Sequence, residues 1–66
     1  MKLIELQRVH YRGTSTIPDA LYVNADDISS FHEDERSYIT VTVVSLKNGQ
    51  TYDVFDSCEE IVKQIT

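Results

Sequence analysis

His32-Glu33-Asp34-Glu35 sets an imidazole beside three carboxylates, the side chains from which metal sites and acid–base pairs are built. A zinc site needs ligands that converge tetrahedrally, usually at recurring spacings, and a hydrolytic zinc helix reads H-E-x-x-H. The stretch has neither pattern, so it reads as a solvated charged loop, and no metal is expected.

Cys58 stands where a helix starts, a position at which nucleophilic cysteines occur. Glu59 and Glu60 beside it oppose a thiolate, no histidine is placed to pair with it, and it falls on an apolar stripe. A small core residue accounts for it. Arg8, His10 and Arg12 alternate, so on a strand they share one face and could meet an acidic partner; three exposed residues at a strand end account for them more simply. Arg12-Gly13-Thr14-Ser15-Thr16 has neither the second glycine nor the Lys-Ser/Thr of a phosphate loop, so no nucleotide is expected. Phe31, Tyr38, Tyr52 and Phe55 could stack on single-stranded bases if basic residues were interleaved with them, but acids and threonines surround them. No serine or threonine has an identifiable base. The chain is therefore expected to have no catalytic residues and no cofactor.

Composition narrows the choice further. At 66 residues the chain sits near the size at which one core is only marginally stable. A single cysteine cannot close an internal bridge, which suits a reducing cytoplasm, and oligomerisation is the remaining way to bury more surface. Met1-Lys2-Leu3-Ile4-Glu5-Leu6 meets charge at once, so no signal peptide and no membrane span are expected. The net charge of −5 disfavours direct nucleic-acid binding. Charge is uneven: residues 1–13 carry Lys2, Arg8 and Arg12 against Glu5, whereas residues 19–36 carry six acids against Arg36 alone.

The elements that must position these residues follow from pattern. Residues 2–9 read as a strand with Ile4 and Leu6 on one side and Leu3 and Val9 on the other. Residues 10–20 hold Gly13 and Pro18 and read as a connecting loop before a strand at residues 21–24. Asn24 can close an Asx-turn or cap one short helical turn, Ile28 and Phe31 return to the core, and residues 32–37 form a charged connection.

Residues 37–46, rich in Val, Ile, Thr and Tyr, form the firmest strand. Asn48-Gly49 suits a two-residue type I′ hairpin turn. That turn would set Lys47 opposite Gln50, Ser45 opposite Tyr52, Val43 opposite Val54 and Thr42 opposite Phe55. Asp56 or Ser57 caps a closing helix, with Glu60 completing a capping box. Cys58, Ile61, Val62 and Ile65 make its apolar stripe. The predicted fold is α+β, one small domain over residues 1–66: an antiparallel sheet of three to four strands with the C-terminal helix packed on one face.

The start strand "MKLIELQRV", the "YVNADDI" segment and the closing "LKNGQTYDVFDSCEEIVKQI" resemble the small FlbD-like proteins of bacteria. The resemblance rests on Val23-Asn24, Asn48-Gly49 and the amphipathic helix. It implies a β-rich fold with a C-terminal helix, no catalysis, and a setting in flagellar or swarming motility; similar short proteins occur in phages and mobile elements. The long stretch 10–20, where that pattern has a tight turn, and the charge of residues 32–36 depart from it.

The expected helix-covered face is Val41, Val43 and Val54. That leaves Tyr38, Val44, Leu46 and Phe55 as a mixed surface of the kind used in subunit contacts. The leading expectation is thus a cytoplasmic, non-catalytic interaction or assembly module. It would bind itself or another protein through those residues, with Arg8 and Arg12 setting orientation. The alternative is a small acidic inhibitor that mimics nucleic acid through Asp26, Asp27, Glu33, Asp34 and Glu35.

Overall fold

The computed structural model describes residues 2–66. Among these, five strands and one α-helix follow in the order β1 (Leu3–Arg12), β2 (Ser15–Asn24), β3 (Ile28–Glu35), β4 (Thr40–Leu46), β5 (Thr51–Val54) and α1 (Cys58–Ile65). One short 3-10 turn, Ala25–Asp27, joins β2 to β3. The strands form a single antiparallel sheet in the order β2-β1-β5-β4-β3. The α+β class stands, with five strands in place of three to four.

The two added stretches of strand are the ones that polarity disguised. Residues 10–20 are not a loop: Arg12 pairs with Ser15 across Gly13-Thr14, and β1 and β2 run together over ten residues each. Gly13, at φ +61°, takes the first central position of the turn, which suits a type II′ hairpin. Alternation from the Arg12–Ser15 pair puts Pro18, opposite Val9, at a non-hydrogen-bonded site. On this edge strand its missing N–H costs the ladder nothing. At about 3.3 Å per residue a ten-residue arm accounts for most of the 36 Å long axis.

Residues 32–35 are likewise strand, pairing Glu33 with Thr42 and Glu35 with Thr40 at the opposite edge. Charged side chains and the irregularity between Ile28 and Ser30 are what protect an exposed edge from pairing with another chain. Asn24 does cap the 3-10 turn, its Oδ1 accepting from the Asp26 N–H at 3.1 Å.

The decisive correction lies in the β4–β5 hairpin. Leu46 N–H donates to Gln50 O at 2.8 Å and Gly49 N–H to Leu46 O at 3.0 Å, so the loop holds three residues, Lys47-Asn48-Gly49. A type I′ turn needs positive φ at both central residues, and among the described residues only Gly13 and Gly49 have it. Gly49, at φ +93°, supplies the bulge position of a three-residue loop instead. The register moves by one: Ser45 faces Thr51, Val44 faces Tyr52, Val43 faces Asp53 and Thr42 faces Val54. A one-residue slip carries every side chain of a strand to the other face.

The helix therefore covers the face of Val44 and Val54, not that of Val41 and Val43. The core joins Ile4, Leu6, Val23, Val44, Val54 and Ile61, with Leu21, Ile28, Phe31, Leu46, Tyr52 and Ile65 packed around it. Each fully buried side chain of this size contributes about 1.5–3 kcal/mol. Along α1, Ile61 is buried and Cys58 and Ile65 are half-buried, while Val62 is exposed, so the stripe is narrower than its spacing implied.

Candidate functional site: the helix-free face of the sheet

Strand twist turns a five-stranded sheet into a saddle, in which one diagonal pair of corners bends toward one face and the other pair toward the opposite face. The first pair is the β1–β2 corner at Ile4 and Val23 and the β3–β4 corner at Ile28 and Leu46, whose side chains share the core. The 3-10 turn clips them together: Ala25 N–H donates to Lys2 O, and Lys47 N–H to Asp27 O, both at 2.8 Å. Helix α1 fills this concavity, its start capped by Ser57 Oγ accepting from the Glu60 N–H and Glu60 Oε1 from the Ser57 N–H. It is tied to β1 by Gln64 Nε2 donating to Glu5 O at 2.9 Å and by the Gln7 N–H donating to Asp56 Oδ1 at 2.7 Å.

The second pair bounds a cleft of about 290 Å³ on the other face. Tyr11 and the Gly13–Thr16 turn line one side, and Arg36, Ser37, Tyr38 and Ile39 line the other. Register places Val9, Tyr11, Thr16, Val41, Val43 and Asp53 on this face. Val9 and Val41 are buried there, apart from the main core cluster.

Polar contacts tie the corners across the cleft. Tyr11 Oη donates to Asp53 Oδ2 at 2.7 Å, and Arg36 Nη2 donates to Asp53 Oδ1 at 3.2 Å while its Nε lies 3.1 Å from Asp34 Oδ2. The hydrogen bond to Asp53 raises the Tyr11 phenol above its ordinary value of 10.0, helped by partial burial and the Asp53 charge and opposed by Arg36. The phenol is thus held protonated, a structural donor and not a poised base or nucleophile.

The expected interface residues scatter. Val44 is fully buried and Leu46 packs against the core, because the register shift turned both inward. Tyr38, 78 % exposed, lies outside β4 on the rim of the cleft, and Phe55 is exposed just beyond β5. Arg8 and Arg12 share the helix side of β1, Arg8 lying 3.8 Å from Asp19 and Arg12 exposed before the turn. Tyr11, Arg36 and Asp53 were not singled out as a site, because they converge from three separate segments. The one hint was Arg36 as the lone cation of an acidic stretch. Among the described residues no helix is long and apolar enough to cross a membrane.

No family model, curated protein or solved structure matches the chain.

Proposed function

We propose that this chain is a non-catalytic protein-interaction module that docks through the helix-free face of its sheet. One observation carries the reading: α1 closes a single face, while the other keeps the cleft and leaves Leu3 at 60 % and Tyr22 at 63 % exposure. Tyr11, Tyr38 and Ile39 line the cleft, and Leu3 and Tyr22 carry exposed apolar surface on to the far end of the β1–β2 arm; such aromatic and aliphatic side chains are the composition of an interface. Both sheet edges are guarded, β2 by Pro18 and β3 by its charges, so contact through a face is favoured over strand addition.

The face is tested by light scattering over a dilution series at low and high salt, with wild type, Leu3→Glu and Tyr22→Glu. A salt-resistant multimer that both substitutions reduce to monomer supports self-assembly through this face. A multimer indifferent to both substitutions removes the face from the assembly. A wild-type monomer removes self-assembly from the proposal.

The resemblance to FlbD-like proteins enters this proposal on the residues that carry it, Val23-Asn24, Asn48-Gly49 and the closing helix. A motility or mobile-element setting in the cytoplasm remains part of this proposal.

A second reading has an observation of its own. Asp26 and Asp27 on the 3-10 turn and Glu33, Asp34 and Glu35 on β3 are all exposed and run along one edge of the molecule. Such an edge could block a basic protein by mimicking nucleic acid, and steeply salt-dependent binding to that protein would identify it. Edge protection explains the same β3 charges at no further cost, so this reading ranks second.

A further inference from the structure

From the lining of the cleft we infer that it receives a short proline-rich segment of a partner protein, held in the polyproline II conformation. This deepens the reading of the helix-free face and rests on it. Charge is the first ground. Among the described residues Arg36 is the only charged one lining the cleft, and its guanidinium is already set against Asp34 at 3.1 Å and Asp53 at 3.2 Å. Both Asp53 oxygens are engaged, one by Tyr11 and one by Arg36. A cationic occupant would find no free carboxylate on the walls, and an anionic one would have to compete for the guanidinium. A neutral occupant meets neither obstacle.

Hydrogen bonding is the second ground. A guanidinium has five N–H donors and no acceptor, more than two carboxylate contacts consume, and Thr14, Thr16 and Ser37 add hydroxyls that can donate. The cleft thus offers hydrogens to a ligand whose polar groups accept them. Proline has a carbonyl and no N–H, and in polyproline II that carbonyl has no partner within the segment. The walls are the third ground: the rings of Tyr11 and Tyr38 and the side chain of Ile39 line a space of about 290 Å³. Proline-rich segments dock in aromatic-lined grooves, and a chain pre-set in one conformation loses little freedom on binding.

The probe is a capped oligoproline of about six residues, roughly 19 Å long in this conformation, titrated into the isotope-labelled full chain while amide shifts are followed. The control is a capped Gly-Ser peptide of equal length, which keeps the carbonyls and lacks the rings and the pre-set backbone. Saturable shifts at Gly13, Thr16, Ser37 and Ile39 are expected with oligoproline and not with the control. Tyr38→Ala removes an exposed ring, so it should leave the free fold intact and weaken binding about five-fold, the loss of one ring contact of about 40 Å².

Equal binding of the Gly-Ser peptide would overturn the inference, as would undiminished affinity in Tyr38→Ala, or no shift at all. Shifts centred on Leu3 and Tyr22 would overturn the cleft while leaving the docking face in place. The scattering experiment on the Leu3 and Tyr22 variants uses no peptide, so failure of the face and failure of the cleft are told apart.

Discussion

The phenol of Tyr11 donates to the carboxylate of Asp53 at 2.7 Å across 42 positions of sequence, fastening the β1–β2 hairpin to β5 on the side of the sheet that the helix leaves open. A hydrogen bond to a charged group contributes about 1.5–3 kcal/mol when well shielded. Tyr11 is half-exposed, so Tyr11→Phe should cost no more than about 1 kcal/mol, read as a lower urea midpoint. Folding raises this pKa, so the bond's contribution is complete below pH 10.0 and is lost as pH rises through the raised value. A tyrosinate absorbance titration should show a late-titrating tyrosine that disappears in Tyr11→Phe.

Val44 makes the inverse prediction. As a fully buried member of the core, it should lose about 2–3 kcal/mol on Val44→Ala. A domain of 66 residues has about 3–10 kcal/mol in total, so Val44→Asp should unfold it outright. Circular dichroism and urea titration distinguish this from an interface residue, whose substitution would change mass and leave the fold alone.

Gly49 should resist substitution for a backbone reason. A Cβ there meets nothing within 4 Å, yet φ +93° is a conformation that side-chain-bearing L-residues rarely adopt. Gly49→Ala should therefore cost about 1–2 kcal/mol, and Gly49→Asn less, because asparagine tolerates positive φ better. Thermal unfolding of the pair gives the comparison.

The capping box should show a pH signature. Hydrogen bonds from the backbone and side chain of Ser57 hold Glu60 below its ordinary value of 4.5. Its contribution is present above pH 4.5 and is lost as pH falls through the lowered value. Ser57→Ala should lower the melting temperature by about 4–8 °C at neutral pH. Glu60→Gln, which removes the titrating carboxylate, should lose less stability than wild type as pH falls through the lowered value.

Local chemistry was legible wherever neighbouring residues settle the outcome. Ser57 and Glu60 lie three apart and cap the helix whatever surrounds them, and Asn24 caps its turn for the same reason. Ile4 and Leu6 against Leu3 and Val9 alternate with the pleat, so their opposite faces were readable in advance. The edge strands were not. An edge tolerates Pro18 and welcomes His32-Glu33-Asp34-Glu35, so the residues that mark loops elsewhere marked strands here.

What the sequence determined by itself is a small antiparallel β-protein with a capped C-terminal helix and an apolar β4–β5 hairpin. What the tertiary structure decided is which side of that hairpin faces the helix. Asn48-Gly49 is compatible with loops of two or three residues, and β4 is apolar enough on both sides to accept either register. Packing chose between them by placing Val44 and Val54 beneath Ile61 and leaving Val41 and Val43 to the other face. The cleft and its Tyr11–Asp53–Arg36 linkage follow from that choice and from the twist that joins opposite corners of the sheet. Neither exists in any local stretch of the chain, because both arise from contacts between residues far apart in sequence.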